Sequence, residues 1–329
     1  MKILITGGAG YIGSHVAKAL LEANRHDVVI LDNLCKGSMR AIEALRKIGE
    51  FEFVQESLEN TPAIEKLFKR DKFDAIIHFA AFIEVFESTQ NPLKYYLNNT
   101  ANAMNLIALA NKYGVKDFIF SSTAATYGEP DIPQVSEETP QNPINPYGRS
   151  KLMVEWVLKD AAAANPNFKY GILRYFNVAG AASDGTIGQN YPNATHLIKV
   201  ATQTIVGKRD KMSIFGDDYD TKDGTCIRDY IHVEDLASAH LAVLDYLQSS
   251  DSAVFNVGYG TGFSVKEVVT EAKKVSGVDF KVEIAPRRAG DPACLISNAD
   301  KIRTKTSWHP EHESLDEIIL SALNWEKKL

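Results

Sequence analysis

The stretch that decides the fold lies near the start of the chain and reads Gly7-Gly8-Ala9-Gly10-Tyr11-Ile12-Gly13. It follows a short strand pattern at residues 2–6 and precedes a segment whose apolar side chains recur at helical spacing. Glycines at this point allow a tight turn and let backbone N–H groups approach a diphosphate, which the positive end of the next helix also favours. The stretch therefore predicts a dinucleotide-binding unit, although the glycines alone also fit a simple turn.

The pattern continues outward from this unit as alternating short strands and helices. Further strands are predicted at residues 28–31, 51–54, 74–79, 118–121 and 171–175, with long helices at 92–112 and 146–164. Such alternation predicts an α/β fold with a Rossmann-type, doubly wound parallel sheet.

The second half of the chain is less regular. It contains predicted loops at 179–193 and 216–224, a strand at 254–257, and helices at 194–206, 233–247, 264–275 and 315–327. We therefore predict a dinucleotide-binding domain at residues 1–177, to which residues 227–262 return. Residues 178–226 and 263–329 are predicted to form a smaller, mixed α/β substrate-binding domain.

The composition argues against several classes of protein. The 329 residues carry 36 basic and 42 acidic side chains, and this net charge of −6 gives no support to a nucleic-acid partner. No run of about 18 apolar residues predicts a membrane span, and the N-terminus lacks a signal-peptide pattern. The three cysteines (Cys35, Cys226 and Cys294) form no CxxC pair, so we expect no disulfide framework, no metal site and a cytoplasmic protein.

Asp32 ends the second predicted strand, nineteen residues after Gly13. A carboxylate there can accept hydrogen bonds from the adenosine ribose hydroxyls and would repel a 2′-phosphate. No arginine follows directly, so the sequence favours NAD over NADP as the cofactor. A helix cap or a turn is the alternative role for this aspartate.

Three residues are candidates for catalysis. Tyr147 and Lys151 have YxxxK spacing near a predicted helix start, so the phenol and the ammonium lie on one helical face. Thr123 ends the fifth strand, at the sheet edge where such folds bind ligand. The Lys151 ammonium and the nicotinamide cation of a bound cofactor both favour the phenolate that a base near neutral pH needs. We expect Tyr147 to be the base, Lys151 to lower its pKa and Thr123 to contact the substrate hydroxyl, whereas YxxxK alone also fits a solvated pair.

Further motifs accompany these residues, namely Leu173-Arg174-Tyr175-Phe176-Asn177, Arg228-Asp229-Tyr230-Ile231-His232-Val233 and Ala285-Pro286-Arg287-Arg288-x-Gly290-Asp291. Together with the glycine stretch and the YxxxK pair, they resemble the extended short-chain dehydrogenase/reductase family, and within it the UDP-hexose 4-epimerases. The similarity runs over essentially the whole chain.

The resemblance implies a reaction on a UDP-hexose without net redox change. NAD stays bound, Tyr147 takes the proton of the sugar 4-hydroxyl, and C4 gives its hydride to NAD. The 4-keto sugar then presents its other face, and hydride and proton return with inverted configuration. Lys151 would also hold the nicotinamide ribose.

The resemblance also implies two sets of binding residues. For NAD these are Gly7, Gly10, Tyr11, Ile12, Gly13, Asp32, Asn33, Leu58, Phe79, Ala80, Ala81, Asn98, Ser121, Tyr147, Lys151 and Tyr175. For the UDP-hexose they are Thr123, Tyr147, Asn177, Leu197, Ile214, Phe215, Arg228, Tyr230, Arg288, Asp291 and Cys294. In the second set, Ile214 and Phe215 would flank the uracil and Asp291 would bond the uridine ribose. The two arginines would grip phosphate, whose oxygens match a guanidinium, although surface ion pairing is their alternative role.

Three positions depart from patterns found in some family members. Ser57 precedes Leu58 where some carry Asp-Ile, and Ile83 stands where some carry a lysine. One adenine contact and one cofactor contact are therefore in doubt. His196 is a lone histidine in a predicted binding loop, and we expect it to be structural.

Cys294 is the expected determinant of sugar size. In the family, a bulky tyrosine at the far wall of the sugar pocket is associated with hexoses that lack an acetamido group, and a small residue with N-acetyl sugars. The hypothesis is therefore a 4-epimerase that accepts UDP-GlcNAc and UDP-GalNAc beside UDP-glucose and UDP-galactose. A small buried hydrophobic residue is the alternative role for this cysteine.

The resemblance further implies a homodimer with a four-helix interface, for which the helices at 92–112 and 147–164 are candidates. Their apolar side chains could line that interface or face only the core of the monomer; they are Leu106, Leu109, Val154, Val157 and Leu158.

Three other functions are weighed against the 4-epimerase. A 4,6-dehydratase needs an added acid/base pair, but Ala124 and Ala125 stand where related dehydratases carry Asp-Glu. A uronate epimerase or decarboxylase needs a cation for the C6 carboxylate, which the sequence does not locate. A non-catalytic dinucleotide sensor need not retain Tyr147, Lys151 and Thr123 together.

Overall fold

The computed structural model of the chain describes residues 1–191, 193, 195–288 and 290–329. Its strands are β1 (Lys2–Thr6), β2 (Asp27–Asp32), β3 (Glu52–Gln55), β4 (Ala75–His78), β5 (Asp117–Thr123), β6 (Gln134–Val135), β7 (Lys169–Tyr175), β8 (Asn177–Ala179), β9 (Met212–Phe215), β10 (Ile227–His232), β11 (Ala253–Val257), β12 (Gly262–Ser264), β13 (Val282–Ala285) and β14 (Cys294–Ser297).

Its α-helices are α1 (Tyr11–Ala23), α2 (Met39–Leu45), α3 (Thr61–Arg70), α4 (Val85–Gln90), α5 (Pro92–Tyr95), α6 (Asn102–Lys112), α7 (Pro146–Ala164), α8 (Leu197–Ile205), α9 (Val233–Leu247), α10 (Val265–Ser276), α11 (Asp300–Lys305) and α12 (Leu315–Glu326). A π-helical turn (Tyr96–Ala101) joins α5 to α6, and a 3₁₀ turn (Ala124–Thr126) follows β5. Within the described residues, no helix is long and apolar enough to cross a membrane.

The large sheet has the strand order β3-β2-β1-β4-β5-β7-β11, and every neighbouring pair is parallel. The order reverses between β1 and β4, and ligands bind at the carboxyl ends of the strands at such a point. One apolar core joins α1 and α9 to the sheet, and a second joins α3, α6 and α7 to it. The predicted α/β fold with a doubly wound parallel sheet is confirmed.

A smaller sheet with the order β12-β10-β14-β6 is built from short strands, and β8 adds to β10. A separate pair is formed by β9 and β13, and α8, α10 and α12 share an apolar core with these strands. Within the segment predicted to return to the first domain, α9 and β11 lie with the large sheet, whereas β10 pairs in the small one. The division of the chain into two domains stays a prediction.

The predicted helices differ from the structure in two places. The run at 92–112 is helical throughout but contains the π-helical turn, which shifts the register of its side chains. The helix predicted at 194–206 is α8, which begins at Leu197; the predicted start at Ala194 lies outside the described residues.

Candidate active site

A cavity of about 790 Å³ opens at the carboxyl edge of the large sheet and extends to the small sheet. All sixteen residues predicted to contact NAD line it. Of the eleven residues predicted to contact the sugar nucleotide, nine line it, and the two that do not are Ile214 and Cys294. The fold therefore brings both predicted sets together around one space.

The glycine loop forms one wall of this cavity, and its shape depends on missing side chains. Gly7 has a φ of +74°, and a Cβ atom there would lie 2.6 Å from the amide nitrogen of Ala80. A Cβ atom on Gly13 would lie 2.3 Å from the carbonyl oxygen of Gly7. Gly10 begins α1 without a side-chain cap. The residues present thus fit a dinucleotide diphosphate, because the backbone approaches closely at the positive end of a helix.

Asp32 combines the two roles that the sequence left open. Its Oδ2 accepts a hydrogen bond from the amide of Ala9 at 3.0 Å, and its Oδ1 accepts one from the amide of Leu34 at 2.7 Å. Burial raises the pKa of the carboxyl group although these bonds oppose the rise. Each carboxylate oxygen offers about two acceptor sites, so the turn contacts leave capacity for ribose hydroxyls.

Tyr147 is positioned by the start of α7. The side chain of Asn145 caps this helix by accepting from the amide of Gly148 at 2.9 Å, and Pro146 occupies the first turn. A Cβ atom on Gly148 would lie 2.5 Å from the carbonyl oxygen of Ala125, so glycine lets α7 approach the turn that follows Thr123. The helix start thereby carries Tyr147 to the end of β5.

Tyr147, Thr123 and Lys151 meet at the base of the cavity. Burial raises the pKa of Tyr147, and a hydrogen bond with Thr123 opposes the rise. Lys151 is 3% exposed, and its Nζ donates to the carbonyl oxygen of Ser121 at 2.7 Å. Burial lowers the pKa of Lys151 to about 7.

This arrangement bears on the expectation that Lys151 and the nicotinamide cation together favour the phenolate of Tyr147. The ammonium is directed at the Ser121 carbonyl, and burial acts on both groups by disfavouring their charged forms. The lowering of the Tyr147 pKa by these two cations therefore stays a prediction.

A buried ion pair that sequence analysis missed lies next to the candidate site. The carboxylate of Glu155 on α7 pairs with the guanidinium of Arg174 on β7 at 2.7 Å, and both side chains are at most 2% exposed. The hydroxyl of Ser122 donates to the same carboxylate at 2.5 Å. Because Ser122 is adjacent to Thr123 in the chain, this network connects the ends of β5 and β7 to α7. A glutamate on the apolar face of a predicted helix was the available signal.

The small sheet contributes the cations of the cavity's far end. The guanidinium of Arg288 lies 3.5 Å from the centroid of the Phe215 ring, and burial lowers its pKa. Arg228 lies 3.8 Å from a carboxylate oxygen of Asp291. Ile214 precedes Phe215 on β9 and is buried beneath the cavity wall, because successive side chains of a strand point to opposite faces.

The same alternation of side chains along β14 applies to Cys294, the expected determinant of sugar size. Leu295, next to Cys294 on β14, lines the cavity and pairs in register with Arg228. Cys294 pairs with Ile227 and does not line the cavity. Leu295 therefore lies at this wall, and the role of Cys294 in sugar size stays a prediction.

The three departures from family patterns all line the cavity, as Ser57, Ile83 and His196. The Nδ1 atom of His196 lies 3.0 Å from the side-chain nitrogen of Gln189, and burial lowers its pKa. Burial thus disfavours the charged imidazole, which is hydrogen-bonded within its loop, and its structural role stays a prediction.

One group of potential metal ligands occurs among the described residues, away from the cavity. His232, Glu234 and His312 place their ligand atoms within 4.8 Å of one another. The three side chains already have partners: His232 Nε2 bonds Ser321, His312 Nδ1 bonds Glu317, and Glu234 accepts from the amide of Ser183. These contacts indicate that the three side chains form part of a polar network.

Comparison with known proteins gives consistent matches over the chain. The family model for the NAD dependent epimerase/dehydratase family matches residues 3–258. A UDP-glucose 4-epimerase from Azospirillum brasilense is 48% identical, over 100% of this chain and 92% of the relative. The solved structure of the UDP-Glc/GlcNAc 4-epimerase from Campylobacter jejuni is 64% identical, with a TM-score of 0.88 and coverage of 100% and 99%. A UDP-glucose 4-epimerase from Bifidobacterium longum in complex with NAD+ and UDP is 37% identical, with a TM-score of 0.96 and coverage of 100% and 98%.

Proposed function

Because the chain belongs to the NAD dependent epimerase/dehydratase family, we propose that it is an NAD-dependent enzyme that inverts C4 of UDP-glucose and UDP-galactose. The observation that carries this proposal is the placement of Tyr147 and Thr123 at the base of one cavity. All the predicted NAD residues and nine of the predicted sugar-nucleotide residues line the same cavity as this pair. A hydroxyl group held there can be deprotonated next to the cofactor.

The division of roles follows from the contacts. When bound, NAD takes the hydride of the sugar C4 and returns it to the opposite face. Thr123 orients the sugar 4-hydroxyl, and Tyr147 accepts its proton and later returns it. Lys151, fixed by the Ser121 carbonyl, can offer its remaining N–H groups to the nicotinamide ribose. The glycine loop and Asp32 hold the dinucleotide, and Arg228 and Arg288 hold the diphosphate of the sugar nucleotide.

The cofactor also supplies the charge that Tyr147 requires. Burial alone keeps the phenol protonated, so the base becomes effective only when positive charge lies beside it. The nicotinium ring provides that charge in the oxidised cofactor. Proton removal is thereby coupled to the oxidation state of NAD, which suits a reaction that returns both hydride and proton to the same carbon.

The dehydratase alternative is disfavoured at the residues after Thr123. Ala124 and Ala125 line the cavity, and their methyl groups cannot transfer protons. The stretch that would supply the added acid and base is thus inert.

The test compares Tyr147→Phe with the wild type and with Tyr113→Phe. Tyr113 is a matched control because its hydroxyl bonds Glu65 away from the cavity. We expect the Tyr147 variant to retain NAD and lose about 10²–10⁴-fold in the rate of UDP-galactose epimerisation, as for loss of a general base. The control should keep the wild-type rate. An epimerisation rate near wild type in Tyr147→Phe would refute the assignment of the base.

We also propose that the enzyme accepts UDP-GlcNAc and UDP-GalNAc. Leu295 is smaller than a tyrosine, so the wall that it forms leaves space for an acetamido group. The relative from Campylobacter jejuni, named a UDP-Glc/GlcNAc 4-epimerase, supports the same substrate range.

We propose a homodimer formed through the helices between residues 85 and 164. The side chains Leu106, Leu109, Val154 and Leu158 are buried in the monomer, and Val157 packs against the same core. Other apolar side chains on these helices are between 47% and 71% exposed, and they are Phe86, Leu93, Leu97, Met104 and Trp156. An apolar surface of this kind on one layer of helices is typical of a protein–protein contact.

The sequence-based domain division is retained as a proposal, with NAD bound mainly by residues 1–177 and the UDP-hexose mainly by residues 178–226 and 263–329. We also propose a cytoplasmic location, since the three cysteines are all free thiols.

A further inference from the structure

Lys36 lies on the loop between β2 and α2. Both ends of this loop are hydrogen-bonded to the glycine loop. The carboxylate of Asp32 accepts from the amide of Ala9 at 3.0 Å, and the amide of Ser38 donates to the carbonyl oxygen of Ala9 at 3.0 Å. Lys36 lies between these two anchors and lines the cavity. Its side chain is thereby held beside the loop that we propose to bind the NAD diphosphate.

The charges around this part of the cavity single out Lys36. Among the cavity-lining residues between positions 7 and 98, Lys36 is the one cation, and the same stretch contributes four carboxylates to the lining, those of Asp32, Glu56, Glu84 and Glu87. Without Lys36, a dinucleotide diphosphate bound there would contact only backbone amides and would be repelled by the negative potential of these carboxylates. Lys36 is the side chain in this half of the cavity that can offset that potential.

Two partners hold the ammonium group of Lys36 in place. Its Nζ lies 2.8 Å from a carboxylate oxygen of Glu84, which follows β4, and it bonds the hydroxyl of Tyr191. Burial lowers the pKa of Lys36, but these two contacts outweigh burial and raise the pKa above 10.5. An ammonium group has three N–H donors, so two partners leave one donor for a further acceptor.

Tyr191 belongs to the segment that follows β8, on the side of the cavity that carries the predicted sugar-nucleotide residues. Its neighbours Gln189 and His196 line the cavity there. The contact of Lys36 with Tyr191 therefore joins the cofactor side of the cavity to the substrate side.

We propose that Lys36 is the cation that binds the NAD diphosphate, and that its bond to Tyr191 acts as a latch that retains the cofactor between turnovers, whereas Glu84 competes with the diphosphate for the ammonium group. This inference rests on the proposed function, because it takes NAD as the dinucleotide. The same lysine then neutralises the diphosphate and, through Tyr191, closes the cavity over it.

A purely structural role for the ion pair makes the opposite prediction for one variant. If Lys36 and Glu84 only brace two loops, removing either charge should loosen the cavity and release NAD. If Lys36 binds the diphosphate, Glu84→Gln removes a repelling carboxylate and frees an N–H donor, so NAD should leave at the wild-type rate or more slowly.

The experiment measures exchange of bound NAD in the purified holoenzyme. Each protein is mixed with an excess of isotope-labelled NAD, and the replacement of bound NAD is followed by mass spectrometry at low and high salt. The variants are Lys36→Met, Lys36→Arg, Glu84→Gln and Tyr191→Phe. Lys94→Met is the matched control, because Lys94 also pairs with a glutamate and lies 4.5 Å from an aromatic ring but does not line the cavity.

We expect Lys36→Met to release NAD at least about 10-fold faster than the wild type, a change of about 1.4 kcal/mol. Tyr191→Phe should release it a few-fold faster, whereas Lys36→Arg and the Lys94 control should remain near wild type. High salt should accelerate release from the wild type more than from Lys36→Met, because an ammonium–diphosphate contact is screened.

The inference is overturned if Lys36→Met exchanges NAD at the wild-type rate, or if Glu84→Gln loses NAD as fast as Lys36→Met. Should Lys36→Met fail to fold, the Glu84→Gln result and the salt dependence of the wild type decide the question. A wild-type protein that neither carries nor binds NAD would instead refute the proposed function, and the latch with it.

Discussion

Lys151→Met is expected to make the NAD-free protein more stable while abolishing its activity. Burial lowers the pKa of Lys151 from 10.5 to about 7, so the folded state holds this proton less tightly than the unfolded chain. At 1.36 kcal/mol for each pKa unit, the protonated lysine destabilises the fold by about 5 kcal/mol below pH 7. The hydrogen bond to the Ser121 carbonyl offsets about 1–2 kcal/mol of this, so the variant should gain about 3 kcal/mol at pH 6.

The gain should depend on pH in a defined direction. Between the folded pKa of about 7 and the unfolded value of 10.5, the unfolded chain binds more protons, so the wild type becomes more stable as pH rises. At pH 9 about 2 kcal/mol of the penalty remains, and the advantage of the variant should fall below about 1 kcal/mol.

The measurement is urea unfolding of NAD-free wild type, Lys151→Met and Lys159→Met at pH 6 and pH 9. Lys159 lies two turns further along α7 and is partly exposed, so its variant should match the wild type at both pH values. A Lys151 variant that is less stable than the wild type at pH 6, or whose advantage does not change with pH, would refute the reasoning.

Three further outcomes are expected. Leu295→Tyr should reduce turnover of UDP-GlcNAc more than that of UDP-glucose. Cys294→Tyr, on the opposite face of β14, should leave the ratio of the two turnover rates unchanged. Equal ratios in the wild type and both variants would refute the steric argument. Leu97→Glu should convert the dimer to a monomer in size-exclusion chromatography with light scattering, and Leu320→Glu, an equally apolar exposed site on α12, should not. Gly13→Ala should lose bound NAD and about 1–3 kcal/mol of stability, because its Cβ would overlap a backbone oxygen; a variant that is purified with a full complement of NAD would contradict this.

Much of the fold and site followed from local sequence patterns. The glycine loop, the acidic residue after the second strand and the YxxxK pair each place their residues within one turn, loop or helix. Their geometry needs only the neighbouring backbone, so spacing was enough to predict it. The alternation of strands and helices likewise predicted the parallel sheet, because short connections leave few topologies for such a pattern.

Other residues depended on contacts between distant segments. Glu155 meets Arg174 and Ser122 only after α7, β5 and β7 have packed, and its position on the apolar face of a predicted helix does not identify these partners. The choice between Cys294 and Leu295 depends on how β14 pairs with β10. A slip of one residue in this register exchanges the two faces of the strand.

Local sequence patterns therefore predicted which chemical groups the candidate site contains: a glycine-rich loop, a phenol with a lysine one turn away, and two arginines. Only the tertiary structure decided how those groups act. It buries Tyr147 and Lys151 so deeply that neither favours its charged form, directs the ammonium at a carbonyl oxygen, and brings Lys36 to Tyr191 across 155 residues of chain. The physical reason is that desolvation and long-range contacts are properties of the packed chain, and a list of neighbours along the sequence does not contain them.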